Sequence, residues 1–330
     1  MDIQKAIQQG LLAAALCGLV AGALAQSTTA SNYPSKPIRM IVPYPPAGPT
    51  DVVGRPMIER LSTNMGQSVV IENRPGGNTI IGTDVVAKSA PDGYTWLLAT
   101  FSHTIMPSLS KSLPYDPLED FSGVAMVANF PGVAVVPASL GPNSLAEIIA
   151  LAKSQPGKLN YANTGFGSAT HFNSELLKKG AGIDLVGVPY KGQLPALPDL
   201  LEGRVSFAFL SPALVLPHIR AGKLRALALA SPKRIPLLPE VATMAESGYP
   251  DAQVVAWFAI LVPSKTPRDI VMRVNREVAR ALADPDVIRR SEAGGVSIES
   301  PMAPEEIDAM MKTQVARWAK FTREVGITAQ

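Results

Sequence analysis

Two glycine-containing loops place hydroxyl side chains at the start of a predicted helix, an arrangement suited to binding an anion. The first loop, IVPYPPAGPTD at residues 41–51, runs from an apolar strand through four prolines and a glycine to Thr50 and Asp51. A helix start presents free N–H groups and the positive end of the helix dipole. Gly48 lets the backbone approach a ligand, Thr50 offers a hydroxyl, and Asp51 is predicted to cap the helix. The same residues also fit a stiff strand–helix connection with an ordinary cap.

The second loop, residues 164–171 of LNYANTGFGSATHFNSELL, repeats this order of strand, glycine-rich turn and helix. Gly165 and Gly167 flank an aromatic residue. The polar residues of the following first helical turn are Ser168, Thr170 and His171. Two such loops are more informative together than either is alone.

Ser168 and His171 also raise the hypothesis of a nucleophile and its base, because positions i and i+3 share one face of a helix. No G-x-S-x-G elbow surrounds the serine. The other histidines, His103 and His218, form no metal-ligand spacing with His171. We therefore predict neither catalysis nor a metal or other cofactor, and His171 is either a capping or packing residue or part of a ligand cleft.

Other stretches contribute candidates of lower specificity. VGVPYKG, residues 186–192, offers an aromatic ring and a cation, or only a solvated turn. A strand ends within FAFLSPALV, residues 207–215, and its end would point into the ligand cleft. NRPGGNTIIG, residues 73–82, is followed by Thr-Asp and is therefore not a Walker motif. The candidates from these stretches and from the end of the third strand are Tyr190, Lys191, Leu210, Ser211, Thr100 and Ser102.

Short apolar strands alternate with amphipathic helices along the chain, which predicts an α/β fold. Helices are indicated by a capping box at Ser144–Glu147 and by Thr266-Pro267. A third is indicated by an apolar stripe that ends near Gly326 and consists of Ile307, Met311, Val315 and Trp318. The predicted strands are Ile38–Val42, Ser68–Glu72, Thr95–Ala99, Lys158–Ala162, Leu185–Pro189, Val205–Leu210 and Leu224–Ala230.

Two longer apolar stretches, Val124–Ala138 and Val254–Pro263, are interpreted as strands that cross between two lobes. Residues 131–252 would then form one lobe, inserted into a lobe made of residues 26–130 and 253–330. The two loops would face each other across a cleft, because ligands of α/β sheets bind outside the carboxyl ends of the strands.

The first 25 residues are predicted to be a secretory signal peptide, so the mature protein is expected to be exported. Residues 10–25 carry no charge and end in Ala23-Leu24-Ala25. The alternatives are an uncleaved anchor helix and a lipoprotein attached through Cys17. Since Cys17 is the only cysteine of the chain, we expect no disulfide and no thiolate metal site in the mature protein.

The formal net charge of the 330 residues is +3, and no run of Lys or Arg is longer than two. Nucleic acid is therefore not expected as a partner. A mildly basic, exported protein is compatible with a small anionic ligand.

The motifs taken together resemble the substrate receptors of tripartite tricarboxylate transporters, the Bug-type periplasmic receptors. The resemblance covers essentially the whole mature chain and rests on YPSKPIRMIVPYPPAGPTD, IENRPGGNTIIGTDVVAKSAPDGYTWLLAT, YANTGFGSATHF, VPYKG, IRAGKLRALALAS and GYPDAQVVAWFAILVPSKTP. It implies a two-lobed periplasmic-binding-protein fold (Venus-flytrap, type II-like) with a central sheet in each lobe. It also implies capture of a small carboxylate and delivery to a membrane permease, by a protein expected to be monomeric.

The resemblance assigns ligand contacts to both loops. The matching positions are Tyr44, Ala47, Gly48, Thr50 and Asp51 in the first loop, and Thr164, Gly165, Gly167, Ser168, Thr170 and His171 in the second. Two departures matter: Ala47 replaces a glycine of the family pattern, and Leu210 replaces a frequent aspartate. The second departure removes a partner for a ligand ammonium, so we expect a mono- or dicarboxylate without an amino group, with an aromatic body allowed.

Two other functions remain open at this point. A sensor that reports the same ligand to a signalling partner has the same sequence features as a transport receptor. A secreted hydrolase using Ser168 and His171 is the alternative from the enzyme class.

Overall fold

The computed structural model describes residues 32–46, 49–298 and 301–324. Contacts divide the chain into residues 1–35 and a compact unit of residues 36–330. The signal peptide and two predicted site residues, Ala47 and Gly48, lie outside the described residues. Within the described residues, no helix combines the length and apolar character that a membrane span requires.

Eleven strands and ten α-helices occur in the described residues. The strands are β1 Ile38–Val42, β2 Val69–Asn73, β3 Thr95–Thr100, β4 Phe121–Phe130, β5 Gly132–Pro137, β6 Asn160–Asn163, β7 Val186–Pro189, β8 Ala208–Leu210, β9 Leu224–Ala230, β10 Ala256–Pro263 and β11 Ser297–Ile298. The helices are α1 Pro49–Met65, α2 Ile80–Ala87, α3 Ser102–Leu109, α4 Leu145–Ser154, α5 Ala169–Ala181, α6 Gln193–Leu201, α7 Pro212–Arg220, α8 Arg268–Leu282, α9 Pro285–Ala293 and α10 Pro304–Glu324.

A six-stranded mixed sheet has the order β11-β4-β10-β3-β1-β2. Its β1 pairs in parallel with β2 and β3, while β10 lies antiparallel between β3 and β4. The remaining strands form the antiparallel sheet β8-β5-β9 and the parallel pair β6-β7. The α/β prediction is therefore confirmed, and β1 and β3 end at the same edge of the larger sheet.

The predicted strands are confirmed, with changed bounds at most ends. Ile38–Val42 and Leu224–Ala230 have the predicted limits. Val205–Leu210 is too long as predicted, because β8 begins only at Ala208. The backbone N–H of Val205 instead donates to the Asp199 carbonyl, which ties this residue to the end of α6.

The stretch Val124–Ala138 is two strands, not one crossing strand. Pro131 separates β4, in the larger sheet, from β5, in the three-stranded sheet. Proline has no N–H to contribute to a ladder, which explains the break. The chain returns to the larger sheet at β10, after Val254. This membership of the strands supports the two proposed lobes, whose bounds stay a prediction.

The polar side chain of Asn173 in α5 holds the backbone just before β10. Its Nδ2 donates to the carbonyl of Val254 at 2.8 Å, and its Oδ1 accepts the N–H of Val254 at 2.6 Å. Both residues are buried. The Asn173 side chain therefore anchors the segment that leads back into the larger sheet to α5, the helix that follows the second loop.

The largest apolar cluster contains a group of packed aromatic rings that joins α5, α10 and the junction between β3 and α3. Phe101 contacts Trp318 edge to face at 5.0 Å between ring centroids, and Phe172 contacts Trp318 at 5.6 Å. The predicted stripe on α10 is buried at Ile307, Met311 and Trp318.

Helix α8 begins one residue later than predicted, with Pro267 preceding Arg268.

Candidate ligand-binding site

Tyr44 in the first loop lies in a group of three hydroxyls. Its phenol oxygen is 2.9 Å from Thr100 Oγ1 and 3.0 Å from Ser102 Oγ. Burial raises the pKa of Tyr44, so the phenol stays protonated and neutral. The structure thus brings Tyr44 together with two other predicted site residues that lie more than 50 positions away in the sequence.

Thr50 and Asp51 lie in the first turn of α1. Thr50 is 3% exposed, and its Oγ1 has no hydrogen-bond partner among the described residues. The carboxylate of Asp51 accepts from Arg55 Nη2 at 2.9 Å. Helix α1 begins at Pro49, so Asp51 lies within its first turn, and the predicted capping role of its carboxylate stays a prediction. Proline at a first helical position has its φ already set for the helix.

Residues 73–82 support the first loop, a role that the sequence did not reveal. Asn73 Nδ2 donates to the Tyr44 carbonyl at 2.9 Å, and the Arg74 N–H donates to the Val42 carbonyl at 2.9 Å. A Cβ on Gly82 would lie 2.7 Å from the Arg74 oxygen and 2.9 Å from Pro43 Cβ. The glycine therefore permits a close backbone approach behind the loop.

The second loop forms its own chain of hydroxyls. Thr170 Oγ1 is 2.6 Å from Thr164 Oγ1 and 2.8 Å from Ser168 Oγ. Ser168 also caps α5, since its Oγ accepts the backbone N–H of His171 at 3.3 Å. The N–H of Gly165 donates to Asn163 Oδ1 at 3.1 Å, which fixes the turn.

The imidazole of His171 faces the backbone of the loop. Its Nδ1 accepts the N–H of Gly167 at 3.3 Å, and its ring packs against Phe166 and Phe172. Burial lowers the pKa of His171, in keeping with a neutral ring that accepts at Nδ1. The ring makes this bond to Gly167, while Ser168 Oγ bonds to Thr170 and the His171 backbone. This arrangement gives no support to a Ser–His nucleophile pair.

Gly167 brings the second loop against the helix that carries part of the first hydroxyl group. Its φ is +78°, and a Cβ there would lie 2.5 Å from Leu109 Cδ1. Leu109 ends α3, and Ser102, which bonds to Tyr44, begins it. Both loops therefore contact the same short helix.

Replacing Gly167 with alanine is expected to destabilise the protein by about 1 kcal/mol more than replacing Gly182. Both glycines have positive φ, so both substitutions introduce backbone strain of about 1–2 kcal/mol. Only at Gly167 must a neighbouring side chain also move, because Gly182 has nothing within 4 Å of its added Cβ. Urea unfolding of the two variants measures the difference. Equal losses would contradict the close contact with Leu109.

Tyr190 follows β7 and lies beside the second loop, since its backbone N–H donates to the carbonyl of Asn163 at 2.7 Å. The Tyr190 hydroxyl donates to Asp199 Oδ2 at 2.6 Å, and Asp199 also accepts from Arg204. Lys191 is exposed. Their assignment to the site stays a prediction.

Leu210 and Ser211 lie at the end of β8. Leu210 is fully buried in an apolar cluster and pairs with Val133 of β5. Ser211 caps α7, and its backbone N–H donates to Gln193 Oε1 at 2.8 Å. Because Leu210 is buried, it could affect a ligand only by positioning the end of β8. Its assignment to the ligand-binding site also stays a prediction.

The described residues contain no group of three or more His, Cys, Asp or Glu side chains placed to hold a metal ion. Apart from the Asp51 carboxylate, which accepts from Arg55, and the His171 ring, the polar groups of both loops are backbone groups and neutral hydroxyls at two helix starts. Such groups suit the oxygens of a small anion.

Comparison with known proteins gives matches over most of the chain. The model of the tripartite tricarboxylate transporter family receptor, TctC, matches residues 53–327. Protein BugT of Bordetella pertussis is 41% identical over 309 residues, which cover 92% of this chain and 93% of BugT.

Solved structures agree with this result. The periplasmic binding protein BugD has a TM-score of 0.81 and 34% identity, covering 90% of this chain and 100% of BugD. Rpa4515 of R. palustris, solved with adipate, has a TM-score of 0.82 and 33% identity, covering 90% of this chain and 100% of its own. The fold is therefore the two-lobed periplasmic-binding-protein fold that the sequence resemblance implied.

Proposed function

This chain belongs to the tripartite tricarboxylate transporter receptor family, and on that premise we propose that it captures a small organic carboxylate between its two lobes. It then delivers the ligand to the membrane permease of a tripartite tricarboxylate-type transporter. The role is binding without turnover. The protein acts as a monomer in the periplasm after cleavage of its signal peptide near Ala25.

The observation that carries the proposal is the hydroxyl of Thr50. A buried hydroxyl without a hydrogen bond costs free energy, so such a group at a helix start points to a missing partner. A ligand carboxylate can accept from this hydroxyl and from free N–H groups of α1. The hydroxyls around Tyr44 and Thr170 offer further donors for a second carboxylate or a ligand hydroxyl.

The expected ligands are dicarboxylates and monocarboxylates that carry no amino group. The neighbouring structure Rpa4515 was solved with adipate, which makes adipate the first compound to test. Leu210 provides no carboxylate where the family pattern often has one, and an ammonium left there without a partner would be costly. Amino acids and neutral sugars are therefore the negative controls.

A thermal-shift panel tests the ligand class. A ligand at about 100 times its dissociation constant stabilises the native state by roughly 2.7 kcal/mol, a shift of several degrees for a chain of this size. Carboxylates should produce this shift, whereas glutamate, aspartate and glucose should not. A largest shift with glutamate or aspartate would overturn the ligand class.

Thr50→Val should weaken binding of the strongest carboxylate by about fivefold, the effect of one hydrogen bond. The stability of the free protein should not fall, because the hydroxyl has no partner to lose among the described residues. Thr266→Val is the matched control, since this buried hydroxyl donates to the Pro263 carbonyl at 2.7 Å. That variant should lose about 1 kcal/mol of stability and keep its affinity. Unchanged affinity in Thr50→Val would remove Thr50 from the site.

A further inference from the structure

A cavity of about 270 Å³ lies beside α10, apart from the two loops, and is called the α10 cavity here. Its wall includes β4 and β10 of the larger sheet, the segment 253–255 before β10, and Pro232 after β9. It shares no residue with the proposed ligand-binding site. The residues that define its chemistry are Met126, Trp257, Met302, Met310, Arg317 and Trp318.

The apolar part of the wall favours an aromatic occupant. Methionine sulfurs are polarizable and pack well against aromatic rings. Trp318 is held by edge-to-face contacts with Phe101 and Phe172, so its ring is a rigid part of the wall. A dry cavity of about 150 Å³ can already hold benzene, so this larger space accommodates a ring and a small substituent.

The charge of the wall favours an anion. Among the described residues that line the cavity, Arg317 is the only charged one. Its side chain is exposed, and its guanidinium carbon lies 4.8 Å from the centroid of the Trp318 ring. A carboxylate can reach Arg317 while the ring that carries it stays among the methionines and tryptophans.

Two buried polar atoms belong to side chains of the same wall. Trp318 is 2% exposed, and its Nε1 has no hydrogen-bond partner among the described residues, nor has Gln253 Oε1. The indole of Trp257, by contrast, donates to Gln314 Oε1 at 2.9 Å. Neither atom is accessible to water, so an occupant of the cavity could reach them only after a movement of the wall.

We propose that the α10 cavity is a second binding site, for a small aromatic carboxylate. The ring lies among Met126, Met310 and Trp318, and the carboxylate lies toward Arg317. The site is independent of the ligand-binding site between the loops. It adds an aromatic acid as a second ligand of the protein.

Nitrogen-15 NMR of the tryptophan side chains of the mature protein provides a direct test, with benzoate as the probe. The chain has only three tryptophans, so Trp→Phe variants assign the three indole signals. Benzoate should shift the Trp318 signal and leave Trp96, whose indole donates to the Gly93 carbonyl at 2.7 Å, unchanged. A Trp318 signal that does not move at 10 mM benzoate would overturn the proposal.

Arg317→Gln tests the charge of the site, with Arg323→Gln as the matched control on the same helix. Both side chains are exposed, so neither change should affect folding. Arg317→Gln should weaken benzoate binding by about fivefold and abolish its advantage over neutral benzamide. Arg323→Gln should bind benzoate as the wild type does. Equal binding by wild type and Arg317→Gln would refute the carboxylate position.

Thr50→Val separates this proposal from the proposed function. The benzoate concentration that gives half of the Trp318 shift should be the same in Thr50→Val as in the wild type, and adipate binding should persist in Arg317→Gln. A midpoint about fivefold higher in Thr50→Val would mean that benzoate acts through the loops, and the α10 site would be rejected. Adipate failing to bind any form would count against the proposed function alone.

Discussion

Replacing Asn173 with alanine should lower the free energy of unfolding by about 2–6 kcal/mol, a large loss for one polar side chain. Its amide joins both backbone groups of Val254, at 2.8 and 2.6 Å, within the protein interior. Alanine leaves a buried N–H and a buried carbonyl without partners, and each such group costs about 1–3 kcal/mol. Urea unfolding followed by fluorescence measures the loss.

Asn160→Ala is the matched control for this prediction. Asn160 makes the same two-sided contact, donating to the Arg204 carbonyl at 3.0 Å and accepting the Ser206 N–H at 2.7 Å. That contact lies near the surface, where water replaces the lost amide, so the loss should stay below about 1 kcal/mol. If both variants lose the same free energy of unfolding, burial is not the cause of the loss in Asn173→Ala.

Gly82→Ala should lower stability by about 1–3 kcal/mol and weaken carboxylate binding by about tenfold or more. The added Cβ would lie 2.7 Å from the carbonyl oxygen of Arg74 and 2.9 Å from Pro43. Neither neighbour is the end of a flexible side chain, so the backbone of the first loop must shift. Tyr44 and Thr50 follow Pro43 and move with it. Thermal unfolding and titration with adipate measure the two effects.

Gly54→Ala is the helical control and should change stability in the opposite direction. The nearest atom to its added Cβ is 3.6 Å away, so alanine fits in α1 without displacement. Alanine is preferred to glycine within a helix by about 1 kcal/mol. Gly54→Ala should therefore be more stable than the wild type and bind with unchanged affinity. A Gly82→Ala protein that behaves in the same way would refute the close packing behind the loop.

Local patterns predicted most of the fold because their causes are local. The cap of Ser144 is an example, since its Oγ accepts the N–H of Glu147 three residues later. The alternation of strands and helices, and the positions of both loops, follow from the same kind of signal. Strand ends were less accurate, as at Val205, because contacts with distant residues decide where pairing begins.

The remaining features depend on contacts that no sequence window contains. Asn173 and Val254 are 81 positions apart, and an asparagine inside a helix gives no sign of its partner. Gly82 appeared only as part of a poor phosphate motif, although its function is to let Pro43 and Arg74 come close. Thr50 was found from its type and position, but its lack of a partner needed the structure.

The linked hydroxyls at the two loops have a consequence for the kinds of ligand atom that they can bind. In the pairs Tyr44–Thr100 and Thr164–Thr170, either oxygen can supply the hydrogen. A backbone N–H has a fixed direction, whereas a hydroxyl rotates its hydrogen without moving a heavy atom. When one hydroxyl turns its hydrogen toward a neighbouring oxygen, that oxygen becomes the acceptor. The hydrogen of that neighbour then turns to the next partner in the chain. The same heavy atoms can therefore present either a donor or an acceptor without any movement of the backbone.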